Sequence, residues 1–196
     1  MKSFRYPHKE PVVPQEPRVK KETRCNDQEI LSVLGADKQD VVASIVKLKE
    51  EQNIKIAGFG GQGVLSMGIL MANCAVAEGL QTTWLPSYGA EMRGGTANAN
   101  VNISNKAIGS PVVSHPNVLI AMNLPSLIAF EDSVKPGGMI LVNSTLVPKE
   151  VSRKDVTVYY VPVTEMAKDI GSIQSANVIL LAVYGLVSGV ISMGTL

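Results

Sequence analysis

The run Gly58-Phe59-Gly60-Gly61-Gln62-Gly63 constrains this chain most, because it joins two segments of different period. Before it, Ile54–Phe59 is an apolar run of strand length; after it, Val64–Glu78 carries apolar residues at helical spacing. Glycines at such a junction permit positive φ and let the backbone approach a ligand without Cβ clashes. The free N–H groups of the helix's first turn then favour an anion, typically a phosphate. Gly58, Gly60 and Gly63 fit GxGxxG, a weak pattern by itself and a firmer one between a strand and a helix. A tight turn that only packs helix on strand is the plain structural alternative.

The alternation continues downstream. Gln81–Leu85, Val118–Met122, Met139–Asn143 and Val156–Val161 read as strands, with helices near Ser126–Ser133 and Val163–Asp169 and an apolar last helix opened by Asn177. The pattern predicts the α/β class, with a Rossmann-like, doubly wound and mostly parallel sheet. Apolar residues make up 45% of the chain and aromatics only 5%, a mix that suits a buried parallel sheet with helices packed on it.

Charge divides the chain. Residues 1–51 carry 19 Asp, Glu, Lys and Arg, whereas residues 52–196 carry 16. Residues 1–52 therefore read as a charged N-terminal extension, and residues 53–196 as the main domain. Pro7, Pro11, Pro14 and Pro17 predict an extended arm up to about Arg24, either disordered or docked on a partner. Short helices are expected from Asn26 or Asp27 to Leu34, and from Asp37 to Gln52.

Several function classes lose support on composition. A net charge of +1 gives no global attraction to nucleic acid or to an anionic membrane. Cys25 and Cys74 stand 49 residues apart without a CxxC, too few ligands for zinc, an iron–sulfur cluster or a disulfide framework. No charged residue occurs from Ile170 to Leu196, but the unbroken apolar core there is shorter than the ~20 residues that span a bilayer. A buried helix, no membrane partner and a reducing cytoplasmic location are the expectations. The polar, proline-rich start lacks the apolar core of a signal peptide.

A dinucleotide fold places an acid at the end of its second strand to hold the ribose hydroxyls. Here that strand ends Trp84-Leu85-Pro86-Ser87, so phosphate affinity is expected without nicotinamide chemistry. The stretch from Pro86 to Asn98 then reads as a loop, too polar and glycine-rich for a core strand. Arg93 offers a planar fork for phosphate or carboxylate, and Glu91 can orient it. Ser87, Tyr88, Thr96 and Asn98 add neutral donors and acceptors.

Four segments resemble the gamma subunits of 2-oxoacid:ferredoxin oxidoreductases, the pyruvate/ketoisovalerate oxidoreductase catalytic domain. They are IKIAGFGGQGVLSMG (54–68), PSYGAEMRGGTANANVNIS (86–104), GSPVV (109–113) and VLIAMNLPSL (118–127), in the family's order over about residues 53–193. The SYGxEMRGG form is more similar to the 2-oxoglutarate and ketoisovalerate types than to the pyruvate type. The resemblance implies a complex that decarboxylates a 2-oxoacid on thiamine diphosphate, reduces ferredoxin through iron–sulfur clusters and releases the acyl group on coenzyme A. Thiamine diphosphate and the clusters would belong to alpha, beta and delta partner subunits, and this chain to the coenzyme A side and to assembly. The implied binding residues are Gly60, Gly61, Gln62 and Gly63 in the first loop, Ser87, Tyr88, Glu91, Arg93, Gly94, Gly95 and Thr96 in the second, and Asn123 after a later strand. No residue is implied as catalytic.

Other features read more plainly. Met67 and Met71, one helical turn apart, are core packing; His115 has no partner that the sequence supplies; Asn177 serves near a helix cap. Trp84 borders the expected site, where stacking on an adenine competes with simple packing. Relatives in the family continue past the point where this chain stops, which implies a truncated C-terminus. An autonomous NAD(P)-dependent dehydrogenase and a non-catalytic scaffold are the competing readings.

Overall fold

A computed structural model describes residues 51–89, 94–192 and 194–196. The expected proline-rich arm and the first linker helix lie outside these residues. Gln52, expected at the end of a helix, instead opens strand β1 (Gln52–Phe59), where it pairs with Ile103. Tertiary pairing decides its state: the β1 register continues two residues before the apolar run begins.

After β1 come helix α1 (Val64–Ala77), strands β2 (Gln81–Tyr88), β3 (Thr96–Ser104) and β4 (Val118–Ala121), and helix α2 (Leu124–Phe130) with a 3₁₀ turn over Glu131–Ser133. Strands β5 (Met139–Asn143) and β6 (Thr157–Val161) precede helices α3 (Val163–Asp169) and α4 (Ala176–Ser188). The six strands form one sheet in the order β2-β3-β1-β4-β5-β6. The β1–β4, β4–β5 and β5–β6 pairs are parallel, and β3 runs antiparallel to both β1 and β2.

Strand β3 is the element that the sequence reading did not count. Its residues alternate Ala97, Ala99, Val101, Ile103 with Asn98, Asn100, Asn102, and the apolar set turns onto the α1 face, where all four are buried. The expected loop from Pro86 to Asn98 is accordingly shorter. Pro86, Ser87 and Tyr88 finish β2, and Thr96, Ala97 and Asn98 begin β3. Pro86 is tolerated because β2 is an edge strand, where a missing N–H need not break a ladder on both sides.

Helices cover both faces, as expected of a doubly wound sheet. Ile54, Ile56, Val118, Ile120 and Leu141 pack with Val64, Met67 and Met71 of α1, Val163 and Ala167 of α3, and Leu180, Leu181, Tyr184 and Val187 of α4. Leu119, Ala121, Ile140 and Val142 face the other way, onto Leu127 of α2 and Val134 and Val147. Strand β4 is apolar at every position because its two sides are both buried. Lys55, on the α2 face, sets its ammonium 4.8 Å from the centre of the Phe130 ring.

Candidate functional site

Three chain turns converge at one edge of the sheet. Phe59 at the end of β1 pairs with Thr96, Tyr88 at the end of β2 pairs with Ala97, and Ala57 is in register with Ala121 at the end of β4. Beyond the strands, the Gly60 N–H donates to the Gly95 carbonyl at 2.9 Å, and the Gly94 N–H donates to the Gly60 carbonyl at 3.2 Å. The two glycine-bearing turns that the sequence singled out are thus joined main chain to main chain. Glu91 and Arg93 lie outside the described residues.

The parallel neighbours β1 and β4 send their chains to opposite faces, β1 to α1 and β4 to α2. That divergence is the topological switch point where open α/β sheets bind ligands. Gln62 and Asn123 stand on its two lips. The Gln62 Oε1 accepts from the Phe59 N–H at 2.7 Å and from Asn123 Nδ2 at 2.9 Å. Asn123 Oδ1 in turn accepts from the Ser126 N–H at 2.9 Å, capping α2. Asn123 is buried, so its side chain holds this edge together from beneath.

Gly63 opens α1 at φ 73° with no side-chain cap. Its carbonyl accepts from Asn177 Nδ2 at 3.2 Å, and a Cβ on Gly63 would sit 2.4 Å from that same nitrogen. Asn177 therefore lies one residue inside α4 and ties that helix to the glycine turn, a partnership across 114 residues that sequence reading could not supply. Gly58 is required for packing: a Cβ there would lie 2.7 Å from Val64 Cγ2 and 2.9 Å from Met122 Cβ.

A cleft opens on each side of the glycine turn, and Gly61, Gly63 and Ser66 border both. The first, about 490 Å³, is mainly apolar, with Phe59, Leu65, Ile69, Trp84, Pro86 and Tyr88 on its walls. The second, about 370 Å³, is walled by Gln62, Asn143, Thr164, Gln174 and Asn177, with Met122, Leu146 and Ile173 beside them. Among the described residues, no charged side chain lines either cleft. Asn143 closes β5 fully buried; its Nδ2 donates to the Met122 carbonyl at 3.3 Å and to Thr164 Oγ1 at 2.9 Å. Its Oδ1 has no partner among the described residues.

The sequence reading passed over Asn143 and Thr164. The available signal was an asparagine ending the apolar strand MILVN at the carboxyl edge. Met67 and Met71 are core residues, fully buried, and His115 is exposed. Cys74 is buried in α1, with its Sγ 3.7 Å from the Thr195 carbonyl. Among the described residues there is no group of three or more His, Cys, Asp and Glu that could hold a metal ion. No helix among them is long and apolar enough to cross a membrane.

Fold and site together define a doubly wound α/β domain with joined glycine turns at its switch point. Residues 53–196 match the family of pyruvate ferredoxin/flavodoxin oxidoreductases, and the chain belongs to that family. It is 48% identical over 133 residues to the ketoisovalerate oxidoreductase subunit VorA of Methanothermobacter thermautotrophicus, covering 68% of this chain and 28% of the relative. Its fold is similar to the gamma subunit of a keto/oxoacid ferredoxin oxidoreductase from Geobacter sulfurreducens, at TM-score 0.62 and 28% identity over 74% of this chain and 81% of that one. It is also similar to part of the 2-oxoglutarate:ferredoxin oxidoreductase of Magnetococcus marinus, solved with 2-oxoglutarate, coenzyme A and succinyl-CoA bound. That likeness has a TM-score of 0.63 at 26% identity and covers 70% of this chain and 24% of the other. The chain thus spans about a quarter of the length of two of these relatives.

Proposed function

We propose that this chain is the gamma subunit or gamma domain of a 2-oxoacid:ferredoxin oxidoreductase and supplies part of the surface that holds coenzyme A. In this reading the acid is a branched-chain 2-oxoacid or 2-oxoglutarate. Thiamine diphosphate and the iron–sulfur clusters sit on alpha, beta and delta partners, which pass electrons to ferredoxin. The reaction runs only in the assembled complex, in the cytoplasm. Gly60–Gly63, Ser87, Tyr88, Glu91, Arg93, Gly94, Gly95, Thr96 and Asn123 form the two binding turns and their support.

The observation that carries the reading is the bonding of Gly60 to Gly94 and Gly95 at the switch point, with a cleft on either side. Backbone N–H groups at the start of α1 suit a phosphate, and flanking clefts suit a ligand longer than a phosphate. A role in assembly has its own support. The outer side of α1 exposes Ile69, Leu70 and Val76, and the helix carries no charged residue.

The test is a titration of the complex, purified from the native cell with its partners identified by mass. Coenzyme A binding that weakens on Arg93→Ala, with assembly intact, is the expected result. Tight NADH binding with no response to coenzyme A would overturn the reading in favour of a dehydrogenase.

A further inference from the structure

The two edges of the sheet are finished differently. The segment leading into β6 exposes Lys149, Glu150, Lys154 and Asp155, and its Val151 N–H donates to Tyr160 Oη of β6 at 2.7 Å. Charge and a covering segment are how a sheet edge avoids pairing with another chain. The opposite edge, β2, has neither among the described residues. No charged residue occurs in β2, in β3 beside it, or in α1, which packs on both. We propose that β2 pairs antiparallel with β2 of a second copy of this chain, about a two-fold axis through Thr83, joining two six-stranded sheets into one. This goes beyond the coenzyme A reading and does not depend on it.

The hydrogen-bond parity of β2 shows which part of the edge is open. Gly89, just past the strand, donates its N–H to the Thr96 carbonyl at 3.5 Å. Odd positions of β2 therefore bond inward to β3, and even positions point outward. Pro86, which has no N–H, stands at an outward position, as this parity requires. Leu80, the outward position before the strand, already donates its N–H to the Ala75 carbonyl at 3.0 Å. Between these two stops, Thr82 and Trp84 turn N–H and carbonyl groups to an edge with no pairing strand among the described residues.

A second copy fits this short window. A two-fold through Thr83 sets Thr82 opposite Trp84 of the second copy, and Trp84 opposite its Thr82. Each pair exchanges both of its N–H···O=C bonds, so every open group in the window finds a partner. Leu80 then falls opposite Pro86, where neither residue has an N–H to give, and the ladder ends without an orphaned donor. A longer foreign strand would run on past Pro86 and lose a bond there. The side chains agree. Val76, 58% exposed, stands in the last turn of α1, close to the Gly79 turn that leads into β2. Glu78, the acid nearest in sequence, turns onto the Ser192 N–H at 3.1 Å and onto Thr195. The uncharged strands thus meet their own copies without like-charge repulsion.

The test uses the full chain in its complex, in a Cys25→Ser background, since Cys74 is buried. Two copies of Thr83→Cys meet as a non-hydrogen-bonded pair, Cα to Cα about 4.5 Å, within reach of a disulfide. Two copies of Gln81→Cys stand about 14 Å apart along the strands and cannot be bridged. Mild oxidation is expected to give a dithiothreitol-sensitive band at twice the chain's mass for Thr83→Cys and none for Gln81→Cys. Thr82→Pro removes one outward N–H from each copy and leaves the β3 ladder intact. Sedimentation equilibrium of the full chain is expected to show its self-association weakened roughly thirtyfold. Thermal melts confirm that each variant folds. A Thr83→Cys disulfide to a different subunit, identified by mass, would overturn the second copy as the occupant. Equal bridging at both positions, no bridging by a folded Thr83→Cys, or self-association untouched by Thr82→Pro would overturn the pairing. Each of these leaves the coenzyme A reading as it stands.

Discussion

Gln62 and Asn123, 61 positions apart in sequence, meet at 2.9 Å across the switch point, and each spends its oxygen on a backbone N–H of its own turn. The pair clamps the β1–α1 turn to the β4–α2 turn. Asn123→Ala removes the α2 cap and the donor to Gln62 together, an expected loss of about 2 kcal/mol of stability. Asn123→Ser keeps a capping acceptor for the Ser126 N–H and gives up the reach to Gln62, so about half that loss is expected. Urea unfolding of the two variants measures the difference. Equal losses would show that the cap is not the larger part.

A second clamp joins Gly63 to Asn177. Gly63→Ala meets two obstacles: a left-handed φ of 73°, and Asn177 Nδ2 only 2.4 Å from the new methyl. The expected loss is about 3 kcal/mol in the native background and about 1–2 kcal/mol for the same change made in Asn177→Ala, where the backbone term and a close contact with the remaining Cβ at 3.1 Å are left. A double-mutant cycle reads this coupling directly. Additive losses would mean that Asn177 yields freely to the methyl.

These clamps explain what the sequence could and could not disclose. The glycine turn, the helix Val163–Asp169 and the strand Met139–Asn143 were legible because each rests on local pattern, apolar period or turn chemistry. Strand β3 carried a clear period of two in Ala97 to Ile103, but the polar set is asparagine, and the glycines just before it read as loop. Gln62 was visible as a member of the turn, yet its bond to Asn123 depends on strand order. The orphaned Asn143 oxygen likewise exists only because β5 lies beside β4 and α3 places Thr164 above it. Pairings across more than a hundred residues, such as Gly63 with Asn177, leave no trace in spacing.

Trp84, the single tryptophan, is a built-in reporter for the apolar cleft. Its Nε1 and Cδ1 would lie 2.6 and 2.9 Å from a Cβ placed on Gly68. Gly68→Ala must therefore displace a rigid ring, at an expected cost of about 1–3 kcal/mol. The displaced indole is expected to emit at longer wavelength. An unchanged emission spectrum with normal stability would show that the ring has room to move.

Far from the clefts, Glu131 sets a pH dependence. It is buried at 4% exposure, and its Oε1 accepts from both the N–H and the Oγ of Ser152 at 2.6 Å. Burial alone pushes the carboxyl up, but the Ser152 hydrogen bonds, aided by the Arg153 backbone and the Lys149 charge, hold it below the usual glutamate value. Because the folded value is depressed, the contribution is complete above the unfolded pKa of about 4.3 and disappears as pH falls through the folded one. Native protein is thus expected to lose stability on acidification below roughly pH 5 more steeply than Glu131→Gln, whose amide does not titrate. At neutral pH the Gln variant is expected to be less stable by about 1–2 kcal/mol, since a neutral acceptor makes weaker bonds than a carboxylate. Stability measured by urea unfolding from pH 7 down to pH 3 gives the two curves. Curves that stay parallel would show that Ser152 does not favour the ionised form.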